Sequence, residues 1–159
     1  MRLIHTNTIV LFEFYDNEIP SYATLSHTWA QGEVSFQDMQ SGNVIDKDGY
    51  DKIKNCCRIA ANDGFEYLWI DTCCIDKSSS AELSEAINSM YKWYHRGDVC
   101  YVYLWDVPSS DDPRSPYSLF SACRWFTRGW TLQELIAPLN LIFFAKDWQE
   151  LGTKSSLQA

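Results

Sequence analysis

The chain has 159 residues, 46% of them apolar and 21% charged, which suits one folded domain with its own core and excludes a disordered segment. A net charge of −8, with no basic run anywhere, excludes a nucleic-acid or anionic-membrane surface as the main partner. The aromatic share of 15% is high, so some of these rings are available to line a pocket or a partner surface.

The longest apolar runs, such as LIFFA at 141–145, fall far short of the ~20 residues a membrane span needs. The start, MRLIHTNT, lacks the apolar stretch of a signal peptide. Of the six cysteines, Cys56-Cys57 and Cys73-Cys74 are adjacent pairs and Cys100 sits in an apolar run. Such thiols read as reduced packing residues in a cytoplasmic protein. No C-x-x-C spacing occurs, so no metal site is expected.

In chain order, the apolar runs Met1 to Ile4 and Ile9 to Phe14 flank His-Thr-Asn-Thr and are expected to pair as a hairpin within residues 1–19. Tyr22 to Ser26 (YATLS) reads as a strand running into His27-Thr28-Trp29. Ligands of α/β folds bind at the carboxyl ends of strands, which makes Ser26, His27 and Trp29 candidate ligand contacts. The alternative for His27 is a hydrogen-bonded structural histidine. Glu33 to Gly42 is expected to be a loop or short helix anchored by Val34, Phe36 and Met39. Asp48 is placed to cap a helix whose face carries Ile53, Cys57, Ala60 and Ala61, with Gly64 as its stop.

Glu66 to Asp71 (EYLWID) is the next strand, followed by TCCIDKSSS. Asp71 and Asp76 in that stretch are either ligand contacts or caps of neighbouring backbone groups. Ser79 and Glu82 have capping-box spacing, and Leu83, Ala86, Ile87, Met90, Tyr91 and Tyr94 form a helical apolar stripe that ends at Arg96-Gly97. Val99 to Trp105 is almost wholly apolar, as a strand covered on both faces should be. A Pro- and Asp-rich loop follows over 106–117, then an expected helix from Ser118 to Phe126.

Arg124 to Pro138, RWFTRGWTLQELIAP, gathers two tryptophans, two arginines, a glycine and one carboxylate. Trp130 and Glu134 are four apart and share a helix face, behind Gly129 and beside Arg128. An indole and a carboxylate so placed can hold a polar ligand that carries a ring. The plainer alternative makes both tryptophans core and Glu134 a solvated helix carboxylate. Leu139 to Ala145 is a last buried strand, and the polar tail from Lys146 on is expected to fray. Strands alternating with helices imply parallel βαβ units, with three strand ends bringing Ser26-His27, Asp71 to Asp76, and Trp130 with Glu134 to one edge.

The pieces YATLSHTW, GYDKIKNCCRIA, YLWIDTCCIDKSSSAELSEAINSMYKWY, VCYVYLWDV and RWFTRGWTLQELIAP together resemble the fungal heterokaryon incompatibility (HET) domain, over nearly the whole chain from Tyr22. Ala30, Lys77, Gly97 and Cys123 depart from the family's commoner Gly, Gln, Ala and Ser. The resemblance implies an effector of self/non-self recognition that triggers programmed cell death, through self-association and protein partners in a cell-death pathway. Members usually continue past the position of Leu157, so the sequence reads as a domain cut from a longer protein: 1–19 an N-terminal hairpin extension, 20–150 the core, 151–159 the tail.

HET domains are also distantly similar to Toll/interleukin-receptor (TIR) domains. The expected fold is therefore α/β, a TIR-like or flavodoxin-like three-layer sandwich with a mainly parallel sheet, helices on both faces and the short hairpin. Some TIR domains hydrolyse NAD with the glutamate of a W-x-x-x-E motif, which Trp130 to Glu134 matches residue by residue. That likeness makes Glu134 the candidate catalytic residue. It makes Ser26, His27, Trp29, Asp71, Asp76, Arg128 and Trp130 candidate substrate contacts, with NAD as substrate and no bound cofactor. No G-x-G-x-x-G is present, which fits a consumed dinucleotide better than a resident one. The alternative from another class is a non-catalytic adaptor that associates through its helices and residues 72–80. A cysteine hydrolase using Cys73 or Cys74 with His27 has the right residue types but the least support.

Overall fold

A computed structural model describes residues 1–158. The apolar runs become strands: β1 (Arg2–His5), β2 (Val10–Glu13), β3 (Ala23–His27), β4 (Tyr67–Ile70), β5 (Val99–Tyr103), β6 (Leu141–Phe144) and β7 (Glu150–Thr153). They form one sheet in the order β2-β1-β4-β3-β5-β6-β7. The four central strands, β4-β3-β5-β6, are mutually parallel, and antiparallel strands border them on each side. The fold is an α/β three-layer sandwich whose sheet is mainly parallel at its centre, with the expected N-terminal hairpin as β1 and β2.

The helices are α1 (Phe36–Ser41), α2 (Asp48–Asn62), α3 (Asp71–Cys74), α4 (Ser80–Arg96), α5 (Thr131–Ile136) and α6 (Lys154–Leu157). The chain steps from β3 out to β4, then back across β3 to β5. Right-handed crossovers in opposite directions put α2 and α4 on opposite faces of the sheet. The side chains agree: Trp69 of β4 packs edge-on against Tyr94 of α4, while the Tyr101 hydroxyl of β5 donates to Asp63 just past α2 at 2.6 Å. The core lies between these layers, with Leu25, Leu68, Ile70, Cys100 and Val102 fully buried. None of the helices of the described residues is long and apolar enough to cross a membrane.

Four local expectations need correction. Ser118 to Phe126 is not an α-helix; turns lead into a short 3₁₀ segment, Arg124–Thr127. Side-chain caps hold this segment where helix bonds would otherwise run: Asp111 accepts from Ser118 and the Leu119 amide, and Asp106 accepts from the Arg124 amide at 2.8 Å. Asp48 does not cap α2 from outside but is its first residue, after Lys47, which contributes no side-chain cap. Ser79 accepts from the Glu82 amide, but the Glu82 carboxylate turns away to Arg2 and to the Asp76 amide, so only half of the capping box forms. The tail does not fray: β7 pairs with β6 and α6 follows, with only Ala159 outside the described residues.

Candidate functional site

The carboxyl ends of β3 and β4 open onto a cleft of about 440 Å³, a size that suits a small-molecule ligand. Thr28 and Trp29 follow β3 into its wall, and Asp71, Ile75 and Lys77 follow β4. Helix α4 supplies Leu83, Ala86, Ile87 and Met90, four of the six residues of the stripe read from the sequence. Arg124, Arg128, Gly129, Trp130 and Glu134 close the far side. The cleft thus has an apolar wall, two indoles, three cations and two carboxylates.

Glu134 is 2% exposed. It reaches that depth because α5 starts directly after Trp130 and carries Glu134 inward, while Thr131, also buried, donates to the Trp125 carbonyl and ties the helix to the 3₁₀ segment. Arg128 forks onto the carboxylate, Nη1 to Oε2 at 2.9 Å and Nη2 to Oε1 at 3.2 Å. The Tyr94 hydroxyl donates to Oε1 at 3.2 Å. Burial, and then the charges of Glu134 and Asp71, push the Tyr94 phenol well above its usual range, so it stays a protonated donor.

Asp71 is the second buried acid. Its Oδ1 accepts from His27 Nε2 at 3.2 Å and its Oδ2 from the Trp29 indole at 2.9 Å. His27 in turn has Lys52 Nζ 2.9 Å from Nδ1, and Lys52 pairs with Glu33. An ammonium can only donate, so Nδ1 accepts and the ring proton sits on Nε2, facing Asp71. Burial pushes the Asp71 carboxyl up, but the hydrogen bond from His27, the charge of Lys77 and the bond from the Trp29 indole more than offset this and hold it below the usual range.

Of the candidates named from the sequence, Trp29, Asp71, Arg128, Trp130 and Glu134 meet in this cleft. Ser26, His27 and Asp76 do not line it. Ser26 is fully buried and accepts from the Trp125 indole at 2.7 Å. His27 stands behind Asp71, as a hydrogen-bonded structural histidine would. Asp76 faces outward to Ser78 and Gln37. The plainer reading of the tryptophans divides: Trp125 is core and Trp130 is half exposed at the cleft rim. Glu134 is not a solvated carboxylate.

The cysteine hydrolase gains nothing. Cys73 is buried, and its contact with Cys74 together with burial pushes its thiol up, away from the nucleophilic thiolate. His27 is committed to Asp71 and Lys52. Thr28, Lys77, Tyr94 and Arg124 were not singled out from the sequence as site residues. Lys77 and Arg124 stood next to candidates, but no spacing rule points either into a cleft. Tyr94 was legible only as part of an apolar stripe.

A family model described as heterokaryon incompatibility protein (HET) matches residues 22–114. Vegetative incompatibility protein HET-E-1 of Podospora anserina is 49% identical over 148 residues, which cover 89% of this chain and 11% of that protein. The chain therefore spans only a small part of the relative's length. No solved structure matches it. With a family model covering more than half of the chain and a relative this similar along most of it, the chain belongs to the heterokaryon incompatibility family.

Proposed function

We propose that the chain is an effector of heterokaryon incompatibility that triggers cell death by hydrolysing NAD in the strand-end cleft. The observation that carries the reading is Glu134: a carboxylate buried in a cleft rimmed by two indoles and three cations. Trp130 and Trp29 offer faces for the two rings of a dinucleotide, and Arg128 and Arg124 suit its phosphates. Glu134 would engage the hydroxyls of the nicotinamide ribose and stabilise the positive charge that builds at C1′. The C1′–N bond breaks with its electron pair on the nitrogen, releasing neutral nicotinamide. Water then adds to C1′ and gives up a proton, leaving ADP-ribose. The family-model match ends before Arg124, so the role of Glu134 rests on the cleft itself and on the W-x-x-x-E likeness.

The test is nicotinamide release by the purified domain, free and artificially clustered. Glu134→Gln should lower release by roughly 10²–10³-fold with the fold intact, the loss typical of one transition-state stabilising group. Turnover retained in that variant removes Glu134 from the mechanism, and no release even when clustered removes the reaction.

A second reading, a non-catalytic adaptor that acts by self-association, has one observation in its favour. Ile87 and Tyr91 on α4 and Leu132 and Ile136 on α5 are large apolar side chains left in water on the two helices beside the cleft.

A further inference from the structure

The Glu134 carboxylate is already fully engaged. Both oxygens take the Arg128 fork, and one also takes the Tyr94 hydroxyl. A carboxylate held this way has its charge met by its own arginine and is not free to receive a ligand in the cleft. Arg128 is the more accessible partner of the pair. Its side chain is 18% exposed against 2% for Glu134. It leads into Gly129, around which a Cβ would meet nothing within 4 Å. Arg124 lines the same cleft, and its guanidinium makes no ion pair or hydrogen bond among the described residues. The third cation, Lys77, is tied to the Asp71 and Thr72 carbonyls and lies 5.0 Å over the Trp29 ring. In a chain of net charge −8, this cleft holds three cations against two carboxylates.

We infer that Arg128 is a latch on Glu134, opened when a phosphate-bearing ligand draws its guanidinium across to a site shared with Arg124. This rests on the nucleotide reading of the cleft for the identity of the ligand, and adds how the site is held inactive without it. Arg124 supplies the standing attraction for the anion. Arg128 exchanges one oxyanion partner for another, a swap that costs little because phosphate and carboxylate both fit its planar fork. Glu134 keeps the Tyr94 bond and turns its freed oxygen to the ligand. The ground-state ion pair and the anion compete for one guanidinium, so weakening either must strengthen the other.

The experiment is calorimetric titration with inorganic pyrophosphate, run beside the nicotinamide assay. Glu134→Gln removes the competing charge and should tighten pyrophosphate binding roughly tenfold, about the worth of one charge-assisted hydrogen bond. Adding Arg128→Gln to that variant should abolish the gain, and this neutral pair avoids stranding a buried carboxylate. Arg124→Gln alone should weaken binding about fivefold, as loss of one phosphate contact. Should Glu134→Gln fail to fold by circular dichroism, Glu134→Asp takes its place. Its carboxylate sits one methylene further back from the guanidinium, which weakens the pair, and a tightening of about threefold is then expected. The latch is overturned if the position-134 variant binds pyrophosphate no more tightly than the unaltered chain, or if the double variant keeps the gain. Pyrophosphate binding that follows this pattern without nicotinamide release retires NAD hydrolysis and leaves the latch standing. Release without the pattern does the reverse.

Discussion

Trp125 and Trp130 lie five residues apart and have opposite roles. Trp125 is fully buried, packs edge-on against Phe126 and Phe143, and ties its indole to Ser26. Trp125→Phe would fill most of the space but leave the Ser26 hydroxyl without this donor, at an expected cost of about 1–3 kcal/mol in chemical denaturation. Trp130, half exposed, should tolerate the same change within about 0.5 kcal/mol. Asp71 adds a pH signature. A carboxyl held below its usual range contributes stability that is present above its unfolded value, about 3.9, and is lost as pH falls through the folded value. Several other acids share this behaviour, so the informative quantity is a difference. Between about pH 4 and pH 2, the urea midpoint of the unaltered chain should fall more steeply than that of Asp71→Asn. Parallel curves would mean that the His27 and Trp29 bonds do not favour the ionised form.

Elements were legible where side-chain periodicity decides them. The stripe of α4 and the apolar runs of β3, β4 and β5 are sequence patterns of packing, and they folded as expected. The segment before Trp125 was not legible, because its conformation is set by Asp106 and Asp111, which reach across the loop to hold backbone amides. Strand β7 escaped notice because it is short, with Leu151 its one apolar side chain and a glycine beside it; it forms through pairing with β6 beyond a turn in which Trp148 takes φ of 63°. In the site, Trp130 and Glu134 were readable from their spacing of four, while Tyr94 arrives from a distant part of the chain, 40 residues before Glu134. The start of α2 offers a test at this scale. Gly49 packs so closely that an added Cβ would lie 2.9 Å from the Glu33 Cα, and its amide bonds the Gly32 carbonyl at 2.9 Å. Gly49→Ala must push the Glu33 backbone away, and with it the acid that pairs with Lys52 behind His27. A loss of about 1–3 kcal/mol is expected. For a chain of this size that is a fall in Tm of roughly 3–10 °C.

At the scale of the molecule, α4 and α5 serve both readings of its function, since they bound the cleft and also carry the apolar side chains left in water. Ile87 belongs to both, but Leu132 belongs to one of them alone, so the roles separate by substitution there. Leu132 is 66% exposed and does not line the cleft. Leu132→Asp should therefore change stability by no more than about 0.5 kcal/mol. If copies of the chain meet through this surface, a buried unpaired carboxylate there opposes association strongly. Mass measured by light scattering should then lose its dependence on protein concentration in Leu132→Asp and keep it in Glu134→Gln. Cell-death activity decides between the readings when both variants are tested in one strain. An adaptor needs the surface and not the carboxylate, so it should survive Glu134→Gln and fail in Leu132→Asp. An NAD-hydrolysing effector fails in Glu134→Gln whatever its state of association. If it fails in Leu132→Asp as well, while that variant still releases nicotinamide when artificially clustered, association is the step that brings the cleft into action.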